Sequence, residues 1–498
     1  MGGEVTAEAQ WGRRAFAAVF AAAATALIWA GHAGGVYPEW QQYAIDAGTH
    51  GGGAGEVLRA YTHSFLGWYR PTSFFLAPFL LRADYFNPTT VWATNLVFLG
   101  LVGVLLCLVV PRARTGAMVI GAVFVVGSSV LFYVPYAPQV DSLYVLFSIA
   151  FVLLAMRLGA DDPPRGRRWL MWVGLLATWF LAVTSKEIAV VVPLLAFAFL
   201  LMQPARWSLR SVLRAARIVA PFVLASIVYA AVYVHAGLQS ANLDPNHTSR
   251  PGLGKLSSVR DMLFWGLGFK SPGSQRPNWE VHFDRWVTVL ALLALAAGVV
   301  AVATAWRRIG VHRIVLFALS YMGLAVAIGM FGSLPYHAFP LVVLVGFGLI
   351  YAVSAAVNSI AERRPGAVPV VELALIGVAV AQVAVAHHVA TRAITQGPQS
   401  AFLQASTELL TGPDLEPVHA ARDPLLVFED CLQMAVDPLH YYARATSGTQ
   451  LVVPNLGAAT AEVSRAESDA LAQHRPVFVA RCTGQSGPWY SISQVTSP

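Results

Sequence analysis

The sequence predicts an all-α polytopic membrane protein of about eleven transmembrane helices, followed by a small extracytoplasmic α/β domain. Three observations predict it. Of 498 residues, 56% are hydrophobic and only 12% charged, about half the charged share of a soluble domain, and mean hydropathy is +0.59. A water-soluble chain of this size has no two or three cores able to hide so much apolar surface. Apolar runs of spanning length recur up to about residue 391, with arginines gathered in every second connection. Beyond that point the apolar runs stop and short strand-like pieces begin.

The runs of spanning length fall at roughly 14–33, 89–110, 116–135, 141–157, 169–185, 187–203, 217–236, 286–306, 313–331, 338–357 and 369–391. A further apolar stretch, Pro71 to Leu81, is short and broken by proline, and reads as re-entrant or interfacial. Basic residues mark cytoplasmic loops. With the N-terminus inside, the cytoplasmic segments carry Arg13/Arg14, Arg112/Arg114, Arg157/Arg165/Arg167/Arg168, Arg206/Arg210/Arg214/Arg217, Arg307/Arg308/Arg313 and Arg363/Arg364. The first span has the look of a signal peptide, but without it the later loops lose their membrane-inserted start, so it reads as an anchor.

This topology explains the net charge of +7 without nucleic acid as a partner. Arginine outnumbers lysine 30 to three, and with the heavy Ala and Gly use this suggests a bacterial genome of high GC content and a plasma-membrane location. It also divides the chain in two: residues 1–391 form the transmembrane domain, with long outer loops at 34–88 and 237–285, and residues 392–498 form the outer domain. Twelve of the 13 histidines fall outside, His312 being the exception.

In the tail, strands are expected at Pro424–Phe428, Gln450–Val453, Pro476–Ala480 and Trp489–Val495, with helices near 399–411 and 458–473. Cys431 and Cys482 both lie here, on the oxidising side. Joined, they would enclose about 50 residues, a disulfide contributing ~4 kcal/mol by loop entropy. Cys107, inside a span, reads as a small core residue. Three cysteines are too few for a disulfide scaffold or a thiolate metal cluster.

Polar groups able to do chemistry concentrate on the outer side. Glu39 and Asp46 in the first outer loop are seven residues apart, which on a helix places them on one face. A carboxylate at the membrane surface serves as general base towards a hydroxyl, although two solvated acids on an interfacial helix have the same spacing. The glycines of Gly48–Gly55 lack the GK[ST] ending of a P-loop. Tyr69-Arg70-Pro71 ends that loop. An arginine beside aromatics at the interface either clamps a lipid phosphate or belongs to an aromatic belt. Asp141 opens the fourth span, and Lys186-Glu187 occupies the tight turn between the fifth and sixth. Ionisable groups near hydrocarbon are costly, unless this pair simply faces water at a hairpin tip. Tyr336-His337 precedes the tenth span, where the imidazole would bind phosphate, ligate metal or rest in the interface. His387-His388 shows no metal-ligand spacing, and Asn246-His247-Thr248 is only a formal glycosylation acceptor.

The order of these signals resembles the GT-C membrane glycosyltransferases, specifically the protein O-mannosyltransferases and the TPR-tailed transmembrane O-mannosyltransferases. Tyr69-Arg70-Pro71 is similar to that branch's Tyr-Arg-Pro, and Phe86-Asn87-Pro88 with Asn95-Leu96 to its approach to the second span. Pro138 to Asp141 resembles its Pro-x-x-acid, and Ser185-Lys186-Glu187 its Lys-Glu. The likeness covers about the first 350 residues. The chain departs from the pattern in having Pro38-Glu39 where the family pairs two acids, Asp141 where it commonly has glutamate, His337 where it tends to have arginine, and no TPR repeats.

The resemblance implies transfer of a sugar, mannose in that branch, from a polyprenyl-phosphate donor to an acceptor hydroxyl on a protein, glycan or glycolipid, with inversion. Glu39 or Asp46 would be the base, with Asp141 orienting the acceptor or helping to hold a divalent metal. Arg70, Lys186 and His337 would hold the donor phosphate, supported by Tyr69, Glu187 and Tyr336. Metal use is not decided by the sequence. A transporter or flippase would instead show midplane polar residues and inverted repeats, and a non-catalytic scaffold would leave the outer constellation without a task.

Overall fold

The computed structural model describes residues 7–29, 72, 88–110, 113–131, 140–160, 165–203, 208–239, 255–270, 285–331, 335–396, 416–422, 424–429, 450–452, 465, 468–482 and 490–495. A helix stands at each of the eleven positions expected. In chain order these are α1 (Ala7–Trp29), α2 (Pro88–Val109), α3 (Thr115–Val126), α4 (Val140–Ala160), α5 (Arg165–Ser185), α6 (Val192–Met202) and α7 (Leu209–Gln239). An additional helix, α8 (Leu256–Gly266), comes next, followed by α9 (Arg285–Ile309), α10 (Val311–Phe331), α11 (Phe339–Arg363) and α12 (Val368–Gln396). Among the described residues six helices, α5, α7 and α9 to α12, are each long and apolar enough to cross a membrane.

The shorter helices explain how the bundle is built. α3 has 12 residues, about 18 Å of rise, and every residue from Gly116 to Val126 is buried. It is the central pillar, packed by α1, α2, α11 and α12. It crosses α11 where both backbones carry glycine: a Cβ on Gly121 would lie 2.8 Å from the Gly346 carbonyl oxygen, and one on Gly346 3.0 Å from that of Gly121. Small residues permit such an approach where no hydrophobic force drives helices together in lipid. α8, inside what reads from sequence as an outer loop, packs on α10 and α11, and the Tyr321 hydroxyl donates to the Leu263 carbonyl at 2.6 Å.

Side-chain bonds draw Arg114, Gln203, Arg308, Arg313, Asn358 and Glu372 to one end of the bundle, and the arginines there are tied down. The Arg114 Nε–H donates to Asn358 Oδ1 at 2.6 Å, and its amide to Ser354 Oγ at 3.0 Å. Glu372 is 3.9 Å from this guanidinium, which burial first and Arg13 second hold below the ordinary arginine pKa, Glu372 opposing them. Arg308 pairs with Glu362, and Arg313 donates to the Tyr351 hydroxyl at 2.7 Å and to the Met202 carbonyl at 2.6 Å. The other end holds 127–131, 186–191 and 335–338.

In the tail, β1 (Leu425–Glu429), β2 (Gln450–Val452), β3 (Val477–Cys482) and β4 (Tyr490–Val495) form one sheet in the order β2-β1-β3-β4, parallel except for the β3–β4 pair. The strands stand where the sequence places them. Leu425, Val427, Val477 and Val479 alternate onto one face and bury Ala470 of the 468–472 helical turn. A short helix, α13 (Glu416–Ala420), precedes the sheet. The expected helix at 399–411 and Cys431 lie outside the described residues, and of Cys482 only the backbone, at the end of β3, is described. Cys107 is buried as a core residue.

Candidate active site

At the end away from the arginines, three helices stop short and are completed by 3-10 turns. Ser129–Leu131 follows α3, Glu187–Val191 precedes α6, and Pro335–Ala338 precedes α11. Proline explains two of these starts, since Pro193 and Pro340 sit in the first turn of α6 and α11 and cannot continue a helix backwards. The Ser129–Leu131 and Pro335–Ala338 turns pack together, and Glu187–Val191 is held by α5, α7 and α10. Ile188, Ala189 and Ala338 are buried. Irregular backbone at membrane depth survives only where protein or a cavity covers it, so this end is built for something other than spanning.

Lys186 stands at the centre of it. Its backbone is extended (φ −154°, ψ 133°) between the end of α5 and the 3-10 turn. The Lys186 amide donates to the Ala182 carbonyl at 3.1 Å, and its carbonyl accepts from the Ala189 amide at 3.0 Å. The side chain is 2% exposed, so it does not face water at a hairpin tip. Its ammonium lies 5.6 Å from the ring centroid of Tyr144, also buried. A cation over an aromatic face gains about 0.5–2 kcal/mol, most when desolvated. Glu187, next in sequence, is half-buried.

Two neighbouring hydroxyls brace this segment. Ser185 Oγ–H donates to the Leu181 carbonyl at 2.6 Å, and Thr184 Oγ1–H to that of Phe180 at 2.5 Å. The one proton of Thr184 is thereby used, so Thr72 is the donor in the 2.5 Å contact between the Thr72 and Thr184 hydroxyls. Thr72, two residues after Arg70, is thus anchored two residues before Lys186.

Asp141 occupies the second position of α4, one helical turn before Tyr144. His337 lies half-buried in the Pro335–Ala338 turn, which also contains the backbone of Tyr336. A crevice of about 80 Å³ joins these elements, lined among others by Tyr144 and Val145 of α4, Ile188 and Val192 of the Lys186 segment, Leu324 of α10 and Pro340 of α11. α4, the turn after Lys186 and the start of α11 thus face one apolar crevice, while Asp141, Lys186 and His337 are not among the residues that line it. Glu39, Asp46, Tyr69 and Arg70 lie outside the described residues.

Sequence reasoning missed Thr72, Thr184 and Tyr144. The signal for the threonines was faint: a hydroxyl two residues from each of two motif cations. Buried polar side chains elsewhere at this end are Thr25, Asn95 and Ser128. Among the described residues, no three His, Cys, Asp or Glu side chains come together as a metal site.

The sequence matches no protein-family model and no curated protein. The fold matches solved membrane enzymes. ArnT from Cupriavidus metallidurans, bound to undecaprenyl phosphate, superposes with a TM-score of 0.54 at 12% identity over 94% of this chain and 93% of that one. Its apo state gives 0.52 at 12% identity over the same shares. The archaeal oligosaccharyltransferase AglB from Archaeoglobus fulgidus, in complex with an inhibitory peptide and a dolichol-phosphate, gives 0.51 at 13% identity over 94% of this chain and 69% of that one. The chain has the GT-C fold of these glycosyltransferases.

Proposed function

We propose that the chain is a membrane glycosyltransferase that moves a sugar from a polyprenyl-phosphate donor to an acceptor hydroxyl at the outer membrane surface, with inversion at the anomeric carbon. The observation that carries this reading is Lys186: an ammonium 2% exposed, held over the Tyr144 ring where α5 gives way to the Glu187–Val191 turn. The shared fold supports it, since ArnT binds undecaprenyl phosphate and AglB a dolichol-phosphate.

The chemistry follows from charge. The acceptor hydroxyl must lose a proton as its oxygen attacks the anomeric carbon, and Glu39 or Asp46 takes that proton. The bond from the sugar to the phosphate oxygen breaks on the opposite face. The departing lipid phosphate gains a full negative charge, and Lys186, Arg70 and His337 stabilise it. Preorganised cations in a dry site are worth far more than in water, because nothing has to reorganise as charge develops. One base suffices for inversion, unlike the two carboxylates of a hydrolase. Asp141, at the mouth of α4, orients the acceptor. Mannose is the sugar favoured by the branch that the motifs resemble.

In this reading α1 to α7 and α9 to α12 give eleven spans in a plasma membrane, the arginine end faces the cytoplasm, and residues 392–498 form a separate outer domain closed by a Cys431–Cys482 disulfide. The test is purified protein given polyprenyl-phosphate mannose and other polyprenyl-phosphate sugars with hydroxyl acceptors. Glu39→Gln, Asp46→Asn and Asp141→Asn are compared singly, and the product anomer is read by NMR. The reading expects inverted product and loss of transfer in one of the first two variants. Donor left unconsumed by the wild type, or transfer unaffected by all three changes, contradicts it.

A further inference from the structure

A large cavity among the described residues lies at the other end. It measures about 1750 Å³ and opens between α6 and α7 on one side and α9, α10 and α11 on the other. This exceeds the usual 300–1,000 Å³ of a small-molecule pocket. Its walls are apolar, from Phe199, Val299, Ala303, Ala318 and Gly348 among others. Its rim is basic: Arg210 and Arg214 at the start of α7 and Arg313 at the start of α10. None of the residues lining it is acidic. Four donor contacts, to Tyr351 Oη and to the carbonyls of Met202, Gln203 and Ile309, fix the Arg313 fork in place at that rim. The N-terminus of α7 opens on it too, and helix N-termini favour anions.

The depth decides the occupant. At 1.5 Å per residue the walls rise by about 12 Å from Arg313 to Tyr321 along α10 and from Arg210 to Ile218 along α7, and by about 21 Å from Ile309 to Leu295 along α9. Tyr321, bonded to Leu263 of α8, and Leu267 close the top on the α10 side. Half of a hydrocarbon core is about 15 Å, so the cavity takes up most of one leaflet along α7 and α10 and passes the midplane along α9. It opens at the end opposite Lys186. We propose that it binds one anionic glycerophospholipid of the leaflet at the arginine end, phosphate on Arg210 and Arg214, with Arg313, its fork engaged by protein, shaping the rim, and acyl chains against α9 and α10. Basic pockets between membrane helices on the cytoplasmic side take such head groups. The lipid fills the gap that otherwise separates α7 from α9 and α10, and so acts as a wedge holding the bundle together.

The inference goes beyond the transfer reading, and its test reads lipid retention rather than activity, so the two fail separately. The full chain in detergent is exchanged into dioleoyl phosphatidylglycerol, dioleoyl phosphatidylcholine or undecaprenyl phosphate, and retained lipid is counted by native mass spectrometry. The variants are Arg210→Gln with Arg214→Gln, and Ala303→Trp, which fills the cavity from an exposed position; circular dichroism confirms their fold. The expected result is one phosphatidylglycerol per chain, retained at least tenfold better than phosphatidylcholine. That preference falls about tenfold in the arginine variant, and retention is lost in Ala303→Trp. Equal retention of the two phospholipids by the wild type, or retention unchanged in both variants, overturns the proposal. So does undecaprenyl phosphate displacing phosphatidylglycerol with its own retention lost in Ala303→Trp, which would give the cavity to the donor's tail.

Discussion

The hydroxyls of Thr72 and Thr184 lie 2.5 Å apart, although 112 residues separate them in the chain. Both are buried, and with the Thr184 proton committed to the Phe180 carbonyl the direction of the bond is fixed. The contact ties the segment after Arg70 to the segment before Lys186.

This bond predicts a non-additive pair. Thr184→Val leaves the Thr72 hydroxyl buried without its acceptor, at a cost of about 1–3 kcal/mol, and Thr72→Val removes the donor. The double change costs little more than Thr184→Val alone, because the two residues form one interaction. Thermal unfolding and donor KM measured on the four chains check this. Simple additivity would show that the hydroxyls act independently.

The crossing of α3 and α11 makes a stability prediction. Gly121→Val forces a Cβ to within 2.8 Å of the Gly346 carbonyl oxygen, and backbone cannot yield as a flexible side chain does. Overpacking of this kind costs about 1–3 kcal/mol. The unfolding temperature in detergent should fall clearly. An unchanged temperature would mean that the two helices do not approach as described.

Orientation is tested with reporters. A phosphatase joined after Pro498 is expected to be active, and one inserted in the Arg364–Ala367 turn inactive, while green fluorescent protein at the same points gives the reverse pattern. The opposite outcome would place the Lys186 end in the cytoplasm and remove the outer-surface reading.

Much of this arrangement is legible in the sequence because hydrophobic runs and arginine placement are strong signals. Each expected span coincides with a helix, and the four tail strands coincide with β1 to β4. Helix ends are less legible: α7 extends to Leu209 and Gln239, beyond the expected 217–236, since Arg210, Arg214 and Arg217 keep its first turns polar while still being good helix formers. α8 escapes notice because a run such as Leu256–Gly266, with Arg260 and Asp261, is too short and too polar to read as membrane structure. At the site, the place of Lys186 is legible but its burial is not. Hydropathy treats a Lys-Glu pair between two spans as a water-facing tip. The short start of α6 and the aromatic face of Tyr144 draw the lysine inward.

The central claim is that Lys186 holds the lipid phosphate, and donor-lipid binding tests it most directly. Undecaprenyl phosphate is titrated into purified wild type, Lys186→Met and Tyr144→Leu, and binding is followed by intrinsic fluorescence. Lys186→Met should weaken binding and slow transfer by about 10²–10³, as loss of one charge-stabilising donor does. Tyr144→Leu should weaken binding about two- to thirtyfold, in line with the 0.5–2 kcal/mol of a cation–π contact. Binding and transfer at the wild-type level in Lys186→Met, with the fold intact, would contradict the account.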